Sequence, residues 1–173
     1  DYGKREDLAL DHIREVKRFR NILLGQGWPV DMVVGGGSFS FPFFAREEAI
    51  LGSPGTAIYW DAGYSSLLPD MPFKWAAFLL TQVVDSYPEK LLFTTDLGNK
   101  AVAPDKPLEQ RVFLPSVPDA RLISQNEEHG VFKGSPETLP QVGDYLLAVP
   151  GHICPTTIKY PYSLWVDANG NVT

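Results

Sequence analysis

Short strand-like runs occupy the chain from about residue 70 onward, and they constrain its fold more than any other feature. The runs are apolar and mostly rich in β-branched or aromatic residues, and turn-forming residues separate them at short intervals, which is the pattern of antiparallel β structure. We therefore expect a mostly antiparallel β domain over residues 62–173. Its predicted strands are 76–84, 91–95, 120–124, 131–133, 145–149 and 164–166.

The first 61 residues follow a different pattern. Apolar residues at helical spacing predict an amphipathic helix over 7–24. Short apolar runs predict buried strands at 30–34 and 56–60, joined by a helical or irregular connection at 42–49. Strand, helix and strand in succession are typical of the last units of a parallel α/β barrel.

The change of pattern predicts a domain boundary near residues 61–70, which gives domains over 1–61 and 62–173. Asp61 and Tyr64 would then follow a barrel strand at its carboxyl end, where such barrels place their sites. The alternative for both residues is ordinary turn and surface chemistry.

Composition excludes several classes of protein. A net charge of −6 without a basic patch argues against nucleic acid as a partner. No apolar run approaches the ~18 residues that a membrane span requires, so we expect no membrane partner. The single cysteine excludes an intrachain disulfide and, because the chain starts without a signal-peptide pattern, predicts a reducing, cytoplasmic location.

Three glycines and a serine, Gly35-Gly36-Gly37-Ser38, follow the predicted strand at 30–34 directly. Glycine leaves backbone N–H groups open to close approach, and serine adds a hydroxyl, which is what a phosphate cradle needs. The run matches neither a Walker motif nor a complete Gly-x-Gly-x-x-Gly fingerprint. It therefore indicates either a phosphate site or a flexible turn.

His152 and Cys154 stand two positions apart, just after the predicted strand at 145–149. In an extended segment, residues i and i+2 point to the same face, so an imidazole and a thiolate would converge on one point. These are ligand types that zinc prefers, and too few other Cys and His residues exist for a closed structural site. The pair therefore indicates an open, catalytic metal site; the alternative is a buried cysteine beside a hydrogen-bonded loop histidine.

Glu127-Glu128-His129-Gly130 combines two acids, a histidine and a turn residue. A histidine beside a glutamate could be an oriented general base, which makes His129 the candidate catalytic residue. The alternative is a surface turn with two solvated acids. Asp96 and Lys100 flank a Gly98-Asn99 turn, which is typical of a solvated hairpin end.

Four stretches occur in the order seen in one known enzyme family. They are Gly35-Gly36-Gly37-Ser38, Thr95-Asp96-Leu97-Gly98-Asn99-Lys100-Ala101, Glu127-Glu128-His129-Gly130 and His152-Ile153-Cys154-Pro155-Thr156. With these motifs the chain resembles the D-serine dehydratase and D-threonine aldolase family, whose members depend on pyridoxal phosphate and share an alanine-racemase-like architecture. The resemblance implies the last strand–helix units of a TIM-type (β/α)8 barrel at 1–61 and a β-rich metal-binding domain at 62–173.

The resemblance also assigns roles. Gly36, Gly37, Ser38 and Tyr59 would contact pyridoxal phosphate, although the family often has its tyrosine inside the strand, where this chain reads Ala57-Ile58-Tyr59. His152 and Cys154 would bind zinc or another divalent metal such as manganese. The implied activity is that of a lyase on D-3-hydroxy amino acids, of either the dehydratase or the aldolase type.

The chain also departs from the whole family pattern. None of its lysines has the sequence context of the family's Schiff-base lysine, so we expect a missing N-terminal half that supplies it and a fragment that is inactive alone. The chain begins without Met and stops soon after an Asn169-Gly170 hairpin turn, as a C-terminal half would.

A homodimer and a small D-amino acid substrate are the other expected partners. A non-catalytic β-rich binding or assembly module is the alternative to an enzyme.

Overall fold

The computed structural model describes residues 1–173, which divide into two compact units. Unit 1 comprises Asp1–Ile58 and Asp70–Pro72, and unit 2 comprises Tyr59–Pro69 and Phe73–Thr173. No helix in either unit is both long enough and apolar enough to cross a membrane. The assignment of 1–61 to a barrel domain and of 62–173 to a metal-binding domain stays a prediction.

Unit 1 contains a long helix and a two-stranded parallel sheet. Helix α1 spans Tyr2–Gly25, and the Asp1 side chain caps it by accepting the Gly3 N–H at 3.0 Å. Strand β1 (Val33–Gly35) pairs with strand β2 (Ile50–Gly52), and the short helix α2 (Phe41–Phe44) lies between them in sequence. The apolar face of α1 packs on α2 and β2 in a core of Ala9, Ile13, Phe43, Phe44 and Ile50.

The strand predicted at 56–60 is wrong. Thr56–Ile58 forms a 3-10 turn, and the partner of β1 is β2 instead. The Ser38 hydroxyl accepts the Thr56 N–H at 3.0 Å, which removes that group from any strand ladder. Trp60 then adopts a left-handed backbone with φ of 54°, which an extended strand cannot contain.

Unit 2 is built on a six-stranded sheet in which every pairing is antiparallel, as predicted. In spatial order the strands are β5 (Val112–Phe113), β8 (Tyr145–Pro150), β3 (Leu79–Tyr87), β4 (Leu92–Thr95), β7 (Gly130–Lys133) and β6 (Arg121–Gln125). Alternate residues face its core, where Phe93 and Phe132 stack with ring centroids 5.2 Å apart.

Two short helices complete unit 2. Helix α3 spans Ala62–Leu67, and helix α4 spans Cys154–Thr157 directly after β8. The strand predicted at 164–166 is reduced to one bridge between Val166 and Val172. A turn over 167–170, which includes Asn169 and Gly170, closes it through a bond from the Gly170 N–H to the Asp167 carbonyl at 3.0 Å.

Candidate functional site

The residues Gly151-His152-Ile153-Cys154, hereafter the His-Cys loop, begin where β8 ends. Gly151 donates its N–H to the Arg111 carbonyl at 2.7 Å. A Cβ at Gly151 would lie 1.7 Å from the Gln110 carbonyl oxygen, so no side chain fits at this position. Only glycine allows this approach, which sets the starting point of the loop.

His152 is held by a carboxylate. Its Nδ1 lies 2.5 Å from Asp105 Oδ2, and its side chain is 33% exposed. Partial burial raises the pKa of Asp105, but the hydrogen bond to His152 and the electrostatic attraction between the two side chains outweigh that effect and hold the pKa below its ordinary value. An ionised Asp105 fixes the proton of His152 on Nδ1, which leaves Nε2 as the nitrogen available to a ligand.

The His-Cys loop is not extended, so the strand-face argument for His152 and Cys154 is wrong. Ile153 has φ of −72° and ψ of −38°, and the helical turn α4 starts at Cys154. Pro155 favours this outcome because its fixed φ suits a first helical turn. Backbone N–H groups of Thr156 and Thr157 donate to the Ile153 carbonyl at 3.0 and 2.9 Å, which closes the turn.

The loop is anchored at a second point by Thr156, which is buried. Its hydroxyl donates to the His152 carbonyl at 2.8 Å and accepts the Ala103 N–H at 3.2 Å. The Cys154 side chain is exposed. The chain contains no group of three or more His, Cys, Asp or Glu side chains arranged to hold a metal ion, so a metal here would have two protein ligands and open positions.

Asp61 contacts the loop from a distant part of the sequence. It is fully buried, and its Oδ1 caps α3 by accepting the Tyr64 N–H at 2.7 Å. Its Oδ2 accepts the Ile153 N–H at 3.0 Å, across 92 residues of sequence. The sequence places Asp61 after a predicted strand or in a surface turn, and no sequence signal indicates its buried contact with Ile153.

Two further motifs of the sequence meet in unit 2. The Lys100 ammonium lies 2.9 Å from a Glu127 oxygen and 2.5 Å from a Glu128 oxygen. Hydrogen bonds to Glu128 and Glu127 raise the pKa of Lys100. The backbone N–H groups of Asn99 and Lys100 donate to the carbonyls of Asn126 and Glu127, so the two turns are bound together.

The segment after α4 reaches the first of these turns. Lys159 Nζ donates to the Asn99 carbonyl at 3.0 Å, and the Tyr160 hydroxyl donates to the Ala101 carbonyl at 2.9 Å. His129, in contrast, is exposed, and its N–H donates to Asn126 Oδ1 at 2.9 Å within the β6–β7 turn. Its role as a general base stays a prediction.

The glycine-rich loop lies in unit 1, after β1. The N–H groups of Gly36, Gly37 and Ser38 donate no backbone hydrogen bond. Three adjacent N–H donors of this kind fit an anionic phosphate. The Ser38 hydroxyl is buried and accepts the Thr56 N–H, so its contribution to such a cradle would come from its remaining hydrogen-bonding capacity.

Tyr59 belongs to unit 2 and follows the 3-10 turn with its side chain exposed. Its carbonyl accepts the Ala76 N–H at 2.8 Å. This hydrogen bond fixes the backbone at Tyr59 but does not involve the phenol side chain. A contact between the Tyr59 phenol and a cofactor therefore stays a prediction.

Comparison with known proteins identifies relatives of the chain. A model of the family described as "Putative serine dehydratase domain" matches residues 76–166, which is just over half of the chain. None of the curated protein sequences matches the chain significantly.

Solved structures show the same fold. D-threonine aldolase from Filomicrobium marinum is 25% identical and superposes with a TM-score of 0.74 over 87% of this chain and 41% of its own. D-threo-3-hydroxyaspartate dehydratase from Delftia sp. HT23 is 18% identical with a TM-score of 0.81 over 100% of this chain and 51% of its own. An alanine-racemase-like protein from Idiomarina loihiensis is 19% identical with a TM-score of 0.79, over 100% and 50% of the two chains.

The chain thus spans about half or less of the length of these solved chains. Structures of D-threo-3-hydroxyaspartate dehydratase also exist for a histidine-to-alanine variant and, in the metal-free form, for a cysteine-to-alanine variant.

Proposed function

The chain belongs to this family of serine dehydratase domains, and we propose that it is part of a pyridoxal-phosphate-dependent, metal-assisted lyase that acts on D-3-hydroxy amino acids. The observation that carries the proposal is the His152–Asp105 pair beside the exposed Cys154. A carboxylate on the second nitrogen of a histidine is the usual support of a metal-binding imidazole. The matched family region, 76–166, includes all three residues.

The solved dehydratase variants support His152 and Cys154 as the two metal ligands. The histidine and the cysteine replaced in those variants stand two positions apart, as His152 and Cys154 do, and the cysteine variant is described as metal-free. We infer that His152 Nε2 and the Cys154 thiolate are the metal ligands of this chain. Water and substrate would complete the coordination of zinc or another divalent metal such as manganese.

The chemistry of the metal explains why an open site is needed. A bound divalent metal acts as a Lewis acid toward the hydroxyl on the β-carbon of the substrate. His152 and Cys154 would hold the metal, and Asp105 would keep the imidazole in the tautomer that binds it. Thr156 fixes the loop by its contacts with His152 and Ala103.

The phosphate of the cofactor suits the glycine-rich loop of unit 1. Gly36, Gly37 and Ser38 would donate their unused N–H groups to the phosphate oxygens. Bound pyridoxal phosphate supplies the electron sink that stabilises negative charge at the α-carbon of an amino acid. Tyr59 would be a further contact of the cofactor, and His129 would be the catalytic base.

We propose that a second protein segment accompanies this chain. The lysine that binds the cofactor would come from a second segment in an N-terminal half, and the barrel strands that precede β1 would come from the same half. We also propose a homodimer. Cysteine two positions after histidine resembles the zinc-type dehydratases of the family, so a D-serine-type dehydratase is favoured over an aldolase.

Substrate assays on the complete protein that carries this chain test the proposal. D-serine should yield pyruvate and ammonia, whereas an aldolase would convert D-threonine to glycine and acetaldehyde. Cys154→Ser should lower both bound zinc and turnover and leave the absorbance of pyridoxal phosphate unchanged, because the cofactor contacts lie elsewhere.

Matched controls are available within the chain. His152→Ala should behave as Cys154→Ser does, whereas His12→Ala replaces an exposed histidine on α1 and should leave zinc and turnover unchanged. Full zinc content and full activity in the Cys154→Ser protein would rule out the metal assignment. Absence of turnover on all D-3-hydroxy amino acids, with cofactor bound, would rule out the activity.

A further inference from the structure

We propose that Asp61 is a positioning residue for the metal site: it fixes the backbone at Ile153 and thereby the directions in which the His152 and Cys154 side chains leave the chain. The inference rests on the proposed function of these two residues as metal ligands. Its physical basis is the bond from the Ile153 N–H to Asp61 Oδ2 at 3.0 Å.

Asp61 uses both carboxylate oxygens as acceptors. Oδ1 accepts the Tyr64 N–H and Oδ2 accepts the Ile153 N–H, and the side chain is 0% exposed. Serine or threonine would cap α3 equally well, so the cap alone does not require a buried charge. Asparagine would place an NH2 group against one of the two N–H donors. A carboxylate is therefore needed here because of the second bond, the one to Ile153.

The geometry of the His-Cys loop makes this bond consequential. Ile153 has helical φ and ψ, so His152 and Cys154 do not share a face in the way that alternate residues of a strand do. The relative directions of their side chains depend instead on the two peptide groups on either side of Ile153. Asp61 holds the N–H of one peptide group, and Thr156 and Thr157 hold the carbonyl of the other.

Asp61 is itself held rigidly. The preceding residue, Trp60, has a left-handed φ of 54° and is buried, with its ring 4.9 Å from that of Phe73. A left-handed tryptophan is strained, and such strain persists only where the surroundings determine it. Two residues later, a Cβ on Gly63 would lie 2.3 Å from the Gly151 carbonyl oxygen, so the start of α3 is in backbone contact with the His-Cys loop.

The test separates the cap from the bond to Ile153. Asp61→Ser keeps an N-cap oxygen for Tyr64 but is too short to reach Ile153, and Asp61→Asn keeps the shape but loses one acceptor. Cobalt(II) alone is the probe, because the thiolate-to-cobalt charge-transfer band reports the Cys154 bond directly. In both variants we expect the dissociation constant for cobalt to rise about 10- to 100-fold and the band to change.

Asp144→Ser is the matched control. Asp144 Oδ2 accepts the Gln141 N–H at 2.8 Å in a turn before β8, at the opposite end of that strand from the His-Cys loop. Its loss should leave cobalt binding unchanged. Amide hydrogen exchange gives an independent readout: the Ile153 N–H should exchange faster in both Asp61 variants, while the β8 amides stay protected in a folded protein.

Native cobalt affinity and a native charge-transfer band in both Asp61 variants would overturn the inference. Faster exchange at Ile153 with unchanged cobalt binding would overturn it as well, because Asp61 would then support the fold alone. Failure of the proposed metal site gives a different result: the native protein, like Cys154→Ser, would produce no charge-transfer band, and the inference would fall with that site.

Discussion

At the scale of single residues, Asp105 controls which nitrogen of His152 is available. Asp105→Asn keeps a hydrogen-bond acceptor but removes the negative charge that stabilises the Nδ1 proton and raises ligand basicity. Metal affinity should fall about 10-fold or more. Competition with a chelator measures it, and Asp119→Asn serves as the control because Asp119 accepts the Thr138 hydroxyl in the same unit. An unchanged affinity would show that Asp105 does not support His152 as the proposed metal ligand.

Gly151 controls where the His-Cys loop begins. Gly151→Ala would force a methyl group into the Gln110 carbonyl, 1.7 Å away, so either the loop moves or the turn before β5 does. We expect a loss of about 3 kcal/mol in the free energy of unfolding of unit 2. Gly134→Ala is the control, because a Cβ there would make ordinary contacts at 3.5 Å with Leu139 and Phe93. Urea unfolding distinguishes the two, and equal midpoints would contradict the expectation.

At the scale of elements, α1 is joined to the 70–72 segment by a buried arginine. Arg5 is 4% exposed, lies 2.5 Å from Asp70 and stacks near the rings of Tyr2, Phe39 and Phe43. The hydrogen bond from Arg5 lowers the pKa of Asp70. A carboxyl with a lowered pKa in the folded state stabilises that state above its ordinary pKa and loses the effect as pH falls through the folded value.

Asp70→Asn should therefore reduce the stability of unit 1 at pH 7 and make it less sensitive to acid below about pH 4. The expected loss at neutral pH is about 1–2 kcal/mol, since Asp70 is partly exposed and water screens the pair. Urea unfolding at pH 7 and pH 3 measures it. Asp11→Asn removes an exposed pair with Arg14 on the same helix and should change little. The same acid sensitivity in native protein and Asp70→Asn would contradict the assignment.

The sequence predicts those elements whose signals are local. All six strands of the unit 2 sheet, except the two-residue β5, lie within a few residues of a predicted run, because alternation and turn residues specify them. The run at 56–60 has the composition of a strand, yet the Ser38 hydroxyl, 18 residues away, captures the Thr56 N–H. The strand propensities of residues 56–60 contain no information about a contact with a distant residue, so the predicted strand does not form.

The candidate site likewise combines features that the sequence predicts with features that depend on distant contacts. His152 and Cys154 are recognisable by residue type and spacing, whereas their backbone conformation depends on Pro155 and on the distant Asp61. The partner of His152, Asp105, stands 47 residues earlier in the sequence. Nothing in the composition near Asp105 separates it from other exposed acids, so the supporting carboxylates become visible only in the folded chain.

At the scale of the whole molecule, large apolar side chains remain exposed in both units. On α1 and just after it these are Phe19, Ile22 and Trp28; in the C-terminal segment they include Tyr162, Leu164 and Trp165. Scattered apolar residues are common on protein surfaces, but clusters of aromatic and aliphatic side chains indicate an interface. This exposure agrees with the proposal that the chain associates with further protein, either a second copy or the expected N-terminal half.

The C-terminal hairpin gives the sharpest test of that association. Leu164 and Trp165 are 67% and 73% exposed, so replacing both with serine should cost the isolated chain little stability. If they lie in an interface, the dissociation constant of the assembly should rise about tenfold or more, since tryptophan is enriched among the residues that dominate binding. Sedimentation velocity over a range of concentrations measures this, with Val142→Ser, 61% exposed in a turn, as the control. A native chain that sediments as a monomer at every concentration, both alone and with the N-terminal half, would contradict the proposal, because these apolar side chains would then face only water.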